Sequence, residues 1–80
     1  KNFKKRYKRL TKPLKEKVDL TIEKFYQDPF DPLLENHPLK GSMLGKRAIS
    51  VTGDVRIIFE EHENYVLVIM LDVGTHNQVY

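Results

Sequence analysis

The chain has 80 residues, 40% of them hydrophobic, with no cysteine and a net charge of +3. That length allows one small domain, residues 1–80, with a thin core, since such chains bury only about 60–65% of the surface the unfolded form exposes. Missing cysteines exclude a disulfide framework or a thiolate metal site and fit a reducing cytoplasm. His37, His62 and His76 lack any close metal-ligand spacing, so neither a metal nor another cofactor is expected.

Charge is unevenly spread. Residues 1–24 hold ten Lys or Arg against three acids, a balance of +7, and the remaining residues carry −4. A basic half of this kind suits a polyanionic or acidic partner, and equally a solvated helix face. The longest apolar run, Val66–Leu71, is too short to cross a bilayer, and the charged start lacks the apolar segment of a secretory signal.

In chain order, Phe3, Tyr7 and Leu10 recur at i, i+4, i+7, which predicts a helix running through Lys1–Tyr7 with basic residues on its other faces. Thr11 and Pro13 mark a second helix start. Leu14, Val18, Thr21, Ile22 and Phe25 give that helix one apolar stripe, which ends near Gln27–Asp28 because Pro29 follows. Together they predict an αα-hairpin. "DPFDPLLENHPLKGSMLG" reads as a structured connector, with Leu33 and Leu34 as its anchors.

From Lys46 the period becomes 2. Arg47, Ile49 and Val51 share one face, with Lys46, Ala48 and Ser50 opposite; Val55, Ile57 and Phe59 share another, with Arg56, Ile58 and Glu60 opposite. "EHEN" (61–64) is a polar turn that carries His62. Tyr65–Val73 is apolar on both faces and so predicts a central strand. Three strands with short links predict an antiparallel meander under the hairpin, an α+β two-layer domain.

Three sets of residues bear chemistry. Arg56, inside "VRIIF", with Arg47 and Lys46 on the neighbouring strand, would form a phosphate-sized anion site if all converge on the open face. The spacing is met more simply by an arginine covering the sheet with its stem. His76 and Tyr80, four apart after Gly74, can address one site whether the segment is extended or helical. An imidazole and a phenol there suit proton transfer, although spacing alone favours a packed Tyr and a hydrogen-bonded surface His. His37, in "NHPLKG", fits either the same cleft or a loop cap; Asp54, in "TGDVR", reads as a turn residue. Lys40 and Gly41 lie in a loop placed for a phosphate contact. No P-loop, GxSxG, GxGxxG or EF-hand pattern occurs.

The order of "HPLKGSMLGKRAISVTGDVRIIFE", an apolar strand and "LDVGTHNQVY" resembles the RelE/ParE superfamily of bacterial toxins, and most of all the YafQ/RelE-like mRNA interferases of type II toxin–antitoxin systems. The likeness spans nearly the whole chain. It implies an α+β fold, with an N-terminal helical hairpin packed on a small antiparallel sheet. It also implies a cytoplasmic, ribosome-dependent, metal-independent endoribonuclease, in which the ribose 2′-OH attacks the adjacent phosphorus and the 5′-oxygen leaves. The implied partners are the ribosome, mRNA and a cognate antitoxin that is acidic and partly disordered until bound; no membrane is implied. Carried over by position, His76 falls on a catalytic His of the YafQ-like enzymes and Tyr80 on an aromatic residue used against the base or in proton transfer. Arg56 falls on an Arg that contacts the scissile phosphate, His37 on the His of the "HPL.G" motif, assigned as catalytic in YafQ, and Asp54 on the Asp of a "DW" pair; the resemblance thus implies His76, Tyr80, Arg56, His37 and Asp54 as the catalytic set. Arg47 stands for one of RelE's strand lysines, with Lys46 and Lys40 nearby, while Lys5, Arg6 and Arg9 are placed to grip rRNA phosphates.

The chain also departs from these relatives. Ser50 stands where YafQ has a His, Asp72 where it has an Arg, Val55 where it has a Trp, and the second RelE lysine falls near Ile49. The site is thus a hybrid. The family's opening strand reads as missing, which would expose the edge of its neighbour, lower stability or promote association. Two alternatives stay open: a ParE-like toxin that inhibits DNA gyrase without catalysis, and an inactive homologue acting in an antitoxin repressor complex.

Overall fold

A computed structural model describes residues 2–80; Lys1, the first residue of the expected helix, lies outside them. Helix α1 (Asn2–Arg9) turns Phe3 and Tyr7 inward, and Leu10 just beyond it completes the stripe. Helix α2 (Lys12–Gln27) begins at Thr11, as the sequence predicts. Its proline lies in the first turn, although the Thr11 hydroxyl makes no capping bond among the described residues. The buried residues Val18, Thr21 and Phe25 repeat every three to four positions, and the Thr21 hydroxyl satisfies itself on the Lys17 carbonyl at 2.8 Å. The two helices are latched where the Tyr7 hydroxyl donates to Asp19 Oδ1 at 2.7 Å. That bond, followed by partial burial, raises the Tyr7 phenol above its ordinary value.

The sheet has four antiparallel strands in the order β1 (His37–Pro38), β2 (Arg47–Ser50), β3 (Val55–His62), β4 (Leu67–Thr75). The meander predicted from residue 46 onward is present. The extra strand is a two-residue piece of the connector, in which His37 pairs with Ala48 and Pro38 with Arg47. Two residues cannot show an alternating pattern, so nothing in the sequence marked it. The predicted face of Val55, Ile57 and Phe59 joins Ile49, Val18, Phe25 and Leu34 in the main core. There Phe25 meets Phe59 edge to face at 4.9 Å between ring centroids.

Some expectations are corrected. Leu34 anchors the connector, but Leu33 is exposed and Leu39 supplies the second anchor. β3 continues to His62, so the turn lies at Glu63–Val66, with Glu63, Asn64 and Tyr65 all at positive φ. Tyr65 is therefore not in the strand, and its ring packs near Phe25, Phe30 and Phe59. His62 is exposed as expected, at the strand end rather than in the turn.

β4 is an edge strand, not a central one. Its continuous apolar character arises because one face meets the core while α1 packs along it, and Leu67 and Ile69 remain exposed. A bulge between Ile58 and Phe59 shifts the β3–β4 register beside Asp72.

The opposite sheet face is not bare. A small cluster of Leu39, Ala48, Ile58 and Val79 covers one end of it, and Val79 comes from a four-residue helix α3 (His76–Val79). No helix among the described residues is long and apolar enough to cross a membrane.

Candidate active site

The end of β4 and the start of β3 lie side by side, with Val55 opposite Thr75 and Arg56 opposite Gly74. Immediately after, Thr75 opens α3 through a reciprocal capping box: its side chain accepts from the backbone of Gln78, and Gln78 Oε1 accepts the Thr75 N–H at 2.9 Å. Gly74 leaves room for this closure, since a Cβ there would lie 2.6 Å from Gln78 Oε1 and push the amide aside. A third tie runs from the His76 N–H to the Asp54 carbonyl at 3.2 Å, and buried Val79 pins the helix to the sheet.

With Val79 inward, His76 and Tyr80 stand exposed at one turn's separation, their ring centroids 4.3 Å apart at 73°. The Tyr80 phenol is raised above its ordinary value by burial, while the Arg56 charge pulls the other way. A phenol held protonated can donate a hydrogen bond at neutral pH. Arg56 is fixed through Nη1, which donates to the carbonyls of Thr52 at 2.8 Å and Gly53 at 3.2 Å. Its Nε and Nη2 make no hydrogen bond among the described residues. His76, Tyr80, Arg56 and the Asp54 backbone therefore form one constellation at the end of the sheet. Asp54 takes part through its carbonyl, and the residue is exposed on the β2–β3 turn.

Other expected residues lie elsewhere. Arg47 is in register with Phe59, whereas Arg56 is in register with Ser50, so the two arginines occupy opposite faces and do not converge. Arg47 instead donates from Nε to Asn36 Oδ1 at 2.8 Å. His37 shares the face of Ala48 and hence of Arg56, but β1 lies two strand spacings from β3, about 10 Å. Its Nδ1 sits 2.7 Å from the Glu35 carbonyl oxygen. Lys40 is exposed ahead of the 3-10 turn Gly41–Met43, and Lys46 is half-buried. Lys5 is exposed on α1, and Arg9 ends that helix, also exposed. Arg6 pairs with Asp72, Nε to Oδ1 at 3.2 Å. Asp72 thus ties an arginine of α1 to the end of β4.

Two further residues shape the site. Gln78 had a readable signal, since Thr75-x-x-Gln78 is a capping-box pattern. Glu35 had none: it lies at φ 52, and its carboxylate accepts from the Ser50 hydroxyl at 2.7 Å, one strand from Arg56. Among the described residues no group of three or more His, Cys, Asp or Glu could hold a metal ion.

A four-stranded antiparallel sheet under two helices is the α+β architecture of the RelE/YafQ-like toxins. The chain superimposes on a YoeB/ParE toxin from Agrobacterium tumefaciens with a TM-score of 0.75 at 22% identity, over 94% of this chain and 91% of that one. It is similar to YafQ from E. coli strain BL21(DE3), with a TM-score of 0.69 at 21% identity over 81% of this chain and 72% of that one. The E. coli DinJ–YafQ complex matches with a TM-score of 0.63 at 26% identity, covering 91% and 79%. No curated protein matches the sequence. The family model described as the bacterial toxin of type II toxin–antitoxin systems, YafQ, matches residues 1–80, and the chain belongs to that family.

Proposed function

We propose that this type II toxin is a ribosome-dependent endoribonuclease that cuts mRNA by attack of a ribose 2′-OH on the adjacent phosphorus. The observation that carries this reading is the contact of His76 and Tyr80, at 4.3 Å between ring centroids, beside the Arg56 guanidinium.

In the proposed step His76 takes the 2′-OH proton as the 2′-oxygen–phosphorus bond forms and the bond to the 5′-oxygen breaks. Tyr80, whose phenol carries its proton at neutral pH, donates toward the reacting phosphate group. Arg56 supplies the free donors of its fork to the phosphorane oxygens as their charge grows. The products are a 2′,3′-cyclic phosphate and a 5′-hydroxyl end, so atoms and protons balance once His76 returns its proton to the leaving oxygen. Asp54 contributes by holding His76 through its carbonyl. His37, on the same face but two strands away, is placed for a neighbouring nucleotide. Arg47, Lys46 and Lys40 contribute charge around the sheet, and the basic α1 residues Lys5, Arg6 and Arg9 engage RNA phosphates without sequence preference.

The reading includes a cytoplasmic location beside the ribosome and a cognate antitoxin as partner, by analogy with the DinJ–YafQ complex. It is tested in cells: His76→Ala and Tyr80→Ala should each relieve growth arrest while the purified variants keep the wild-type circular dichroism spectrum. Undiminished arrest with both variants overturns it.

A further inference from the structure

Between α1, the end of β4 and α3 lies a cavity of about 400 Å³ lined by Arg6, Arg9, Leu10, Val73 and Gln78. It sits across α3 from His76 and Tyr80, because Gln78 lies two residues from each and so projects from the other side of the turn. From this arrangement we infer a second phosphate subsite, which holds the backbone of the same RNA strand a few nucleotides from the cleaved bond. The inference rests on the endonuclease reading for the identity of the ligand, and on the cavity alone for the presence of an anion site.

Three observations support it. Arg6 is oriented before any ligand arrives: its Nε engages Asp72, and its Nη1 is turned to α3, 3.4 Å from where a Gly74 Cβ would lie. Asp72 is itself compensated, since the same carboxylate oxygen accepts the Val73 N–H at 2.9 Å. Its charge therefore cancels one guanidinium and leaves the other uncancelled. Arg9, one turn along the same helix face, is exposed and brings that second fork to the cavity. Gln78 also lines the cavity, and with its oxygen engaged by Thr75 its amide nitrogen is left as a neutral donor.

A strand that straddles α3 could reach both sites, since an α-helix with its side chains is about 10 Å across. Arginine forks match two phosphate oxygens at once, as a phosphodiester presents them.

The test uses a fluorescent 2′-O-methyl RNA decamer, which lacks the attacking hydroxyl, so that binding is read without cleavage. Arg9→Ala should weaken binding about three- to fivefold and make the salt dependence shallower by about one phosphate contact. Lys24→Ala removes the same charge from exposed α2 and should change both much less. Asp72→Asn should tighten binding. Equal losses from Arg9→Ala and Lys24→Ala would show a diffuse field and overturn the subsite. So would hexaglutamate binding that responds to Arg9→Ala while RNA binding does not, which would point to an acidic protein segment instead. Arg9-dependent binding by a protein that cuts no RNA would sink the endonuclease reading and leave the anion site standing.

Discussion

Gly74 is the position where one added methyl group tests how the site is held. A Cβ there would meet Gln78 Oε1 at 2.6 Å, with Gln78 Cβ at 3.3 Å and Arg6 Nη1 at 3.4 Å. The last two contacts are tolerable, so the amide must swing away and release the Thr75 N–H that it holds at 2.9 Å. Losing that half of the capping box should cost about 1 kcal/mol, within the range for N-cap removal. An 80-residue domain has roughly 4–12 kcal/mol in total, so Gly74→Ala should stay folded. Activity should suffer more than stability. Displacing the rings of His76 and Tyr80 by about 1 Å is enough to reduce cleavage on the order of a hundredfold. Urea denaturation of Gly74→Ala, Gln78→Ala and the double variant, paired with a cleavage assay, reads both quantities. Because the clash and the lost bond involve the same amide, the double variant should be no less stable than Gln78→Ala by more than about 0.5 kcal/mol. Additive losses, or full activity in Gly74→Ala, would refute the claim that Gln78 closes and positions α3.

Further outcomes follow from other parts of the molecule. Phe25→Ala empties the centre of the aromatic core and should cost about 3–5 kcal/mol, visible as a large fall in the urea midpoint and as molten behaviour if stability is at the low end. Tyr7 has its folded pKa raised above 10.0, chiefly by its bond to Asp19, so its contribution is complete below that pH and is lost as pH rises through the folded value. Stability measured from pH 9 to 12 should therefore fall more steeply in the wild type than in Tyr7→Phe; identical curves contradict the latch between α1 and α2. Arg56→Lys keeps the charge but loses the fork on the Thr52 and Gly53 carbonyls, and should lower cleavage at least tenfold while leaving RNA affinity within about twofold. Equal loss in both readouts would make Arg56 a binding residue only.

The sequence announced those elements whose burial is periodic. Ile49, Val55, Ile57 and Phe59 alternate because one sheet face is covered, and Val18, Thr21 and Phe25 recur because one helix face is. β1 and α3 have two and four residues, too few to carry a period, although the Thr75–Gln78 pattern did encode the start of α3. β4 looks central in the sequence for a physical reason: helix packing and exposed Leu67 and Ile69 give an edge strand the apolar look of a central one. The separation of the two arginines was already legible, since Arg47 shares parity with Ile49 and Arg56 with Ile58. By contrast, the Arg6–Asp72 pair joins residues 66 positions apart, and no local pattern links them.

The endonuclease assignment is tested most directly by primer extension on ribosome-bound mRNA from cells expressing the wild type or His76→Ala at equal level. The account predicts discrete new 5′ ends within translated regions for the wild type and their loss in the variant. Ends of undiminished intensity from His76→Ala, or growth arrest by the wild type with no new ends, would contradict it.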